Sequence, residues 1–361
     1  MKKAISVILC VLFLLALAAG CTKVTPGTPT TADTPKTADT PRADATVEAP
    51  TEDAQPAAIG EPMTIRFFAG GEAGDAFASI VYKGAMDAAA MLKPYNVSVE
   101  YVFSGWEPEK MISQLREAIA ARPDAICMMG HPGDDAIMPL AEEASKAGII
   151  MVYQNVNVPE VRKQYGGGYV GVVDQAEQGK ALAQAAINTY GLKAGDRAVV
   201  FGSWGQPGRY FREEGMAVTL ESIGMKIERV VTPNEAAADP QLLLPLISGQ
   251  LQSNPETKMI VYGGGQQLSA AKTYMEACGK KPGEVINIGF DLSPAILDGF
   301  KEGYIQLTAD QQPYLQGFVP VMSAYLTKNF QLSGIVLDTG AGLIDKNNFE
   351  AVADLVAKGI R

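Results

Sequence analysis

Side chains suited to ligand recognition follow the predicted strands of this chain. Carboxylates and amides present hydrogen-bond acceptors and donors in planar forks, and aromatic faces cover the C–H face of a ring. The combination favours binding of a neutral polyhydroxylated ligand such as a sugar. The candidate binding residues are Asp75, Phe77, Trp106, Asn155, Trp204, Arg209, Tyr210, Asp291 and Gln311.

Support for catalytic or metal chemistry is weak. The only histidine of the chain, His131, lies in Gly130-His-Pro-Gly133 and is predicted to be a turn residue rather than a catalyst. The four cysteines show no CxxC spacing, so the sequence indicates neither a zinc site nor a redox pair. We expect no metal and no cofactor. A hydrolase that uses two carboxylates, such as Asp75 and Asp291, is kept as an alternative.

Charge and composition limit the class of partner. Among 361 residues, 30 are Lys or Arg and 40 are Asp or Glu, which gives a net charge of −10. Such an acidic surface repels phosphates, so a nucleic-acid partner is not expected. The length suggests about two domains, and a hydrophobic fraction of 47% is enough to form buried cores.

The elements that position the candidates alternate between strand and helix from Met63 onward. Their strands are continuous apolar runs, such as Ala125–Met129, which is typical of a parallel sheet buried on both faces. Right-handed crossovers then give an α/β fold of two doubly wound parallel-sheet lobes. Ligands of such sheets bind beyond the carboxyl ends of the strands, where the candidates stand.

The predicted lobes are discontinuous in sequence. Residues 62–171 and 313–338 form the N-terminal lobe, and residues 172–312 and 339–361 form the C-terminal lobe. The chain then crosses between lobes three times, near Val170–Asp174, Gln311–Pro313 and Leu337–Gly340. These crossings predict a hinge that lets the lobes close over a ligand.

The N-terminal 61 residues are predicted to lie outside the fold. Residues 1–20 have two lysines followed by an apolar run and indicate a signal peptide. The run ends in Leu17-Ala-Ala-Gly-Cys21, which resembles a bacterial lipobox and implies lipidation of Cys21. A plain secretory signal or an uncleaved anchor is the alternative. Residues 21–61, which are rich in Thr, Pro and Ala, predict a disordered tether.

Short motifs in a fixed order point to a known family. They are Arg122-Pro-Asp-Ala-Ile126, Asp135-Ala136, Ala147-Gly-Ile149, Asp174 with Gly179-Lys180, Arg212-Glu-Glu-Gly215, Gly289-Phe-Asp291, and Asp310-Gln-Gln-Pro313 followed by Gly317. With these motifs, residues 63 to about 345 resemble the periplasmic sugar-binding proteins of ABC transporters, of the ribose-binding type with the type I two-lobed fold.

The resemblance implies roles for several candidates. Asp75 and Phe77 match the polar residue and aromatic wall after the first strand, and Asp291 and Gln311 match an acceptor and a hinge-proximal glutamine. The second-lobe arginine falls at Arg209 or Tyr210, whereas Arg212 matches a more structural position.

Two positions depart from the ribose pattern. Asn155-Val156 stands where the family has an Asp-Arg pair, and Gly264 stands where it has an asparagine. The departures make ribose itself doubtful. A hexose, a pentitol, a nucleoside or a furanosyl signalling molecule is equally admissible.

The resemblance also implies how the protein works. It is expected to be a monomeric extracytoplasmic lipoprotein that captures a sugar, polyol or nucleoside-like ligand between its lobes and delivers it to an ABC permease. Its membrane contact would be the lipid anchor. A sensor ectodomain that signals to a receptor or kinase partner would have the same body and is the alternative.

Overall fold

The computed structural model describes residues 60–206, 209–340 and 342–361. The predicted signal peptide, Cys21 and nearly all of the predicted tether lie outside these residues. Within the described part of the chain, no helix has the length and apolar character to cross a membrane.

The first lobe is built on a sheet of six parallel strands with helices on both faces. In chain-order numbering, its strands are β1 (Met63–Gly70), β2 (Val97–Phe103), β3 (Ala125–Met129), β4 (Ile150–Asn155), β5 (Gly168–Gly171) and β11 (Val336–Asp338). Its helices are α1 (Ala76–Leu92), α2 (Pro108–Ala121), α3 (Asp134–Lys146), α4 (Pro159–Tyr165) and α11 (Pro313–Phe330). Across the sheet the strands run β11-β5-β4-β3-β1-β2.

The second lobe has the same plan, with a six-stranded sheet in the order β12-β10-β9-β8-β6-β7. Its strands are β6 (Arg197–Gly202), β7 (Lys226–Val231), β8 (Thr257–Val261), β9 (Ile286–Phe290), β10 (Leu307–Asp310) and β12 (Gly342–Asp345). Its helices are α5 (Gln175–Tyr190), α6 (Phe211–Ser222), α7 (Leu244–Ser253), α8 (Gly265–Ser269), α9 (Ala271–Ala277), α10 (Pro294–Glu302) and α12 (Glu350–Ala357). All strand pairs are parallel except β10 with β12.

The predicted fold class is confirmed. Every residue of β3 and β5 is buried, as expected for central strands of a sheet that is covered on both faces. The structure adds elements that the sequence did not predict, namely α4 and the antiparallel edge strand β12. In the second lobe, a 3-10 turn at Pro240–Leu243 leads directly into α7.

Glycines let pairs of helices approach closely in both lobes. A Cβ on Gly317 of α11 would lie 1.8 Å from the Val81 carbonyl oxygen of α1. In the second lobe, a Cβ on Gly179 of α5 would lie 1.9 Å from the Arg212 carbonyl oxygen of α6. These contacts hold α11 and α5, the helices that directly follow a crossing between the sheets, against their own lobes.

A network of amide side chains joins the segments that connect the sheets. Gln316 is fully buried and donates through Nε2 to the Gln311 carbonyl oxygen at 2.9 Å and to Thr339 Oγ1 at 3.1 Å. Gln316 Oε1 accepts from Asn155 Nδ2 at 3.0 Å, and Gln312 donates to the Thr339 carbonyl oxygen at 3.0 Å. These neutral groups tie the second and third crossings to the end of β4.

Candidate functional site

A cavity of about 1090 Å³ lies between the carboxyl ends of the two sheets. Both lobes contribute to its wall, as the strand-end rule for doubly wound sheets predicts. The sequence-predicted residues that line it are Asp75, Phe77, Trp106, Asn155, Arg209, Asp291 and Gln311.

The first-lobe wall is aromatic and is held in place by Asp75. This residue caps α1, because its Oδ1 accepts from the backbone N–H groups of Phe77 at 2.8 Å and Ala78 at 2.9 Å. Its Oδ2 accepts from Trp106 Nε1 at 2.7 Å. The ring centroids of Phe77 and Trp106 lie 5.9 Å apart. Asp75 therefore positions both rings.

Glycines make room for the indole. A Cβ on Gly70 would lie 2.4 Å from Trp106 Cζ3, and one on Gly71 would lie 2.6 Å from Trp106 Nε1. Trp106 itself has a φ of 61°, in the left-handed region that residues other than glycine rarely adopt. The turn after β2 thus directs the ring into the cavity wall at some conformational cost.

A hydrogen-bond chain crosses from one lobe to the other at the base of the cavity. Gln311 Nε2 donates to Asp291 Oδ1 at 2.5 Å, and Asn155 Nδ2 lies 3.5 Å from Gln311 Oε1. Asp291 Oδ2 also accepts from the backbone N–H of Gly265 at 3.1 Å. Burial raises the pKa of the Asp291 carboxyl, and nearby Arg212 opposes that rise.

Asn155 and Asp291 occupy equivalent places, at the ends of β4 and β9. Both have positive φ, 64° and 73° respectively, which is uncommon for residues other than glycine. Asp291 does not cap the helix that follows, because Ser293 caps α10 through the Ile296 N–H. Two strained strand ends therefore aim an amide and a carboxylate at one cavity.

The second-lobe wall carries Arg212 and Glu213, at the start of α6. The Arg212 guanidinium donates to the Gly263 carbonyl oxygen, stacks 4.3 Å from the Phe290 ring centroid and lies 3.7 Å from Glu213 Oε1. Glu213 is 2% exposed, and burial raises the pKa of its carboxyl.

Arg209 lines the same wall. Burial lowers the pKa of its guanidinium, and the positive charge of Arg212 lowers it further. Arg212 was predicted to be structural, yet it lines the cavity as well.

Two predicted residues lie elsewhere. Trp204 and Tyr210 do not line the cavity, contrary to the expectation. The Trp204 indole turns back along β6 and donates to the Val200 carbonyl oxygen at 3.0 Å, while Arg229 stacks 5.5 Å from its ring centroid. Tyr210 packs between Trp204 and Phe211, at centroid distances of 5.9 and 5.8 Å. Of the adjacent pair Arg209 and Tyr210, only the arginine reaches the cavity.

The sequence interpretation did not place His131, Arg212 or Glu213 in the site. His131 follows the end of β3 by two residues, so the strand-end rule applied to that strand would have identified it. Arg212 and Glu213 lie in a helix, and they reach the cavity because α6 begins beside Gly202 and Gly263. Among the residues that the structure describes, no group of His, Cys, Asp and Glu could hold a metal ion.

Comparisons with known proteins agree with this architecture. Residues 67–330 match the family model described as a periplasmic binding protein domain. The chain is 25% identical over 253 residues to a xylose/arabinose-binding protein of Sulfolobus acidocaldarius, a match that covers 66% of this chain and 61% of that protein. It is 26% identical to a D-ribose/D-allose-binding protein of Pseudomonas aeruginosa, with 66% and 74% of the two chains covered.

Solved structures share the fold. A carbohydrate transporter from Acidothermus cellulolyticus in complex with myo-inositol superimposes with a TM-score of 0.71 at 24% identity, over 83% of this chain and 100% of that one. An ABC transporter solute-binding protein from Burkholderia graminis in complex with D-arabinose gives a TM-score of 0.69 at 20% identity, over 83% and 98%. The family expected from the motifs is thereby confirmed, and the chain belongs to the periplasmic binding protein domain family.

Proposed function

We propose that this protein is the solute-binding component of an ABC sugar transporter and holds one sugar or sugar-like molecule between its lobes. The observation that carries the proposal is the chain Asp291–Gln311–Asn155, which links the two lobes at the base of a cavity lined by Phe77 and Trp106. A polyhydroxylated ring suits this arrangement, because its hydroxyls pair with amides and carboxylates while its C–H face covers an aromatic ring.

The charges on the second-lobe wall support a neutral ligand. Two basic residues, Arg209 and Arg212, stand beside two buried acidic ones, Glu213 and Asp291, whereas Glu235, the third acidic residue of this wall, is exposed. Because the enclosed part of the wall has equal numbers of each sign, a ligand that brought a net charge would leave a charge unpaired in a buried site, which is costly. The sugars named for the relatives, xylose, arabinose, ribose and allose, are neutral and polyhydroxylated.

Closure of the lobes would exclude water from the bound ligand and strengthen its hydrogen bonds. The closed form would be the state that a permease recognises. The carboxylates of Asp75 and Asp291 already accept hydrogen bonds from protein donors, which suits binding rather than nucleophilic attack. We therefore propose a binding protein without catalytic activity that acts as a monomer.

The proposal extends to the location of the protein. The sequence around Cys21 supports lipidation of that cysteine after removal of residues 1–20, and residues 21–61 would then tether the body to the outer face of a membrane. Metabolic labelling with an alkyne fatty acid tests this proposal. We expect label in the natural chain and none in Cys21→Ser, whereas equal labelling would contradict the anchor.

A melting experiment tests the binding function. We expect at least one of D-xylose, L-arabinose, D-ribose, D-allose and myo-inositol to raise the melting temperature, by roughly 5 °C at a hundredfold excess over its Kd. Gln311→Leu should lose the shift. Tyr210→Phe, which lies outside the cavity, is the matched control and should keep it. A folded protein that responds to none of these sugars at millimolar concentration would overturn the proposal.

A further inference from the structure

The segment that follows α12, residues 358–361, turns back onto the body of the protein, and we call it the strap. The turn is made at Gly359, whose φ of 65° is in the left-handed region that glycine adopts readily. The Ile360 N–H donates to the Leu355 carbonyl oxygen at 2.9 Å and so satisfies a carbonyl group at the end of the helix. The last three residues of the strap are partly buried. The strap therefore packs against other parts of the chain.

One end of the strap is anchored beside the second crossing between the lobes. Arg361 Nη1 lies 2.7 Å from Oδ2 of Asp310, which is fully buried at the end of β10. The other carboxylate oxygen of Asp310 accepts from the backbone N–H of Gln312 at 2.8 Å. Gln312 is in the crossing itself and has a φ of 52°, which is uncommon for residues other than glycine. Arg361 thus compensates the buried carboxylate that holds this crossing in a left-handed conformation.

The middle of the strap contacts the first lobe. A Cβ on Gly359 would lie 3.4 Å from Cδ of Lys83 in α1, so the aliphatic part of that lysine covers the turn. The Lys83 ammonium lies 3.0 Å from Asp87 Oδ2, which also accepts from Tyr314 Oη at 2.9 Å. Because α12 packs in the core of the second lobe, the strap joins the two lobes in addition to the three crossings of the chain.

We propose that the strap stabilises the lobe arrangement seen here against wider opening, and that Arg361 is a positioning residue for ligand affinity. The effect on affinity rests on the proposed function. In this arrangement the chain Asp291–Gln311–Asn155 joins the lobes at the base of the cavity. Wider opening would separate α1 from α12 and would require new dihedral angles at the crossing that Asp310 holds. If the binding-competent arrangement is less populated, the apparent Kd rises in proportion.

Isothermal titration with D-xylose, L-arabinose, D-ribose, D-allose and myo-inositol, each in turn, tests the effect on affinity. For a sugar that the natural chain binds, Arg361→Ala should raise the Kd about fivefold, and Arg361→Lys, which keeps the cation, should recover most of that loss. Lys83→Ala removes the contact with the strap and should raise the Kd about threefold, whereas Lys83→Met keeps an aliphatic side chain and should leave the Kd unchanged.

The control for a purely structural effect is Lys328→Gln. Lys328 pairs with Asp124 in the first lobe, so its loss should lower stability without changing the Kd. Neither Arg361, Lys83 nor Lys328 lines the cavity, so a change in Kd cannot arise from a lost ligand contact.

Small-angle X-ray scattering of the ligand-free full chain tests the restraint on opening without any sugar. Arg361→Ala should have a larger radius of gyration than the natural chain, and Lys328→Gln should have the same one. All three chains share the same N-terminal 61 residues, so a difference in radius of gyration reports the arrangement of the lobes.

The outcomes separate this inference from the proposed function. If the natural chain binds none of the five sugars, the proposed function fails, and an equal radius of gyration in Arg361→Ala then overturns the restraint as well. If the natural chain binds a sugar and Arg361→Ala binds it with unchanged Kd, the inference is overturned while the proposed function stands. If Arg361→Ala does not fold, the two Lys83 variants decide, and equal Kd values for them overturn the inference.

Discussion

Asp75 should contribute more to stability than an ordinary helix cap, because it also holds Trp106. In Asp75→Ala, α1 loses its cap, which costs about 1 kcal/mol. The Trp106 N–H loses a charged acceptor at 2.7 Å, which costs about 1–3 kcal/mol more. We therefore expect the free energy of unfolding to fall by about 2–4 kcal/mol.

The matched control is Asp174→Ala. Asp174 caps α5 by accepting from the Glu177 N–H and holds no second side chain, so its loss should cost only about 1 kcal/mol. Urea unfolding followed by far-ultraviolet circular dichroism measures both values without relying on indole fluorescence. In a double-mutant cycle, the fall in the free energy of unfolding caused by Asp75→Ala should be smaller in the Trp106→Phe background by about 1 kcal/mol or more. Equal costs for the two caps, together with no coupling to Trp106, would refute the reasoning.

Three further predictions concern stability. Gly317→Ala would place a Cβ 1.8 Å from the Val81 carbonyl oxygen and should lower the free energy of unfolding by about 3 kcal/mol. Gly249 is at an exposed position of α7, where a Cβ would meet no atom within 4 Å, so Gly249→Ala should raise the free energy of unfolding by up to about 1 kcal/mol. Urea unfolding compares the two variants, and similar effects would contradict the close contact between α11 and α1. Arg361 lies 2.7 Å from buried Asp310, so Arg361→Gln should lower the free energy of unfolding by about 1–3 kcal/mol at pH 8. Lys328 pairs with partly exposed Asp124, and Lys328→Gln is the control that should have a smaller effect. Burial raises the pKa of Asp310, and a fold that contains such a carboxyl becomes less stable as the pH rises above about 4. The loss of stability caused by Arg361→Gln should therefore be smaller at pH 4.5 than at pH 8. A loss that does not depend on pH would argue against the buried pair.

The fold was largely predictable because its central strands are buried on both faces. The apolar run Ala125–Met129 has the bounds that the structure gives, and all of its residues are buried. The edge strand β12 was missed because its residues are only partly buried and carry a weaker apolar signal. The seven-residue helix α4 is too short for a helical period to be distinctive.

The site was predictable to the extent that strand ends determine it. Asp75, Asn155, Asp291 and Gln311 all line the cavity, as the strand-end rule suggests. Trp204 shows why the rule is insufficient, because a side chain after a strand can turn back to a carbonyl of its own strand. Side-chain direction at a loop depends on local dihedral angles and packing that residue type does not reveal.

The helix residues of the site depend on tertiary structure. Arg212 and Glu213 reach the cavity only because α6 begins beside Gly202 and Gly263, where a Cβ would lie 2.8 and 2.7 Å from Glu213 atoms. No periodicity in the sequence of α6 distinguishes these two residues from its solvent-facing charges. Their assignment required the packed structure.

The central claim is that one sugar binds where the carboxyl ends of the two sheets meet. Calorimetric titration of the natural chain and of Asp291→Ala, with the sugar that most raises the melting temperature, tests it most directly. We predict one molecule bound per chain and a loss of affinity of at least about tenfold in the variant, because a charged acceptor is removed. Binding of the same sugar to Asp291→Ala with unchanged affinity, or the absence of any stoichiometric binding to the natural chain, would contradict the account.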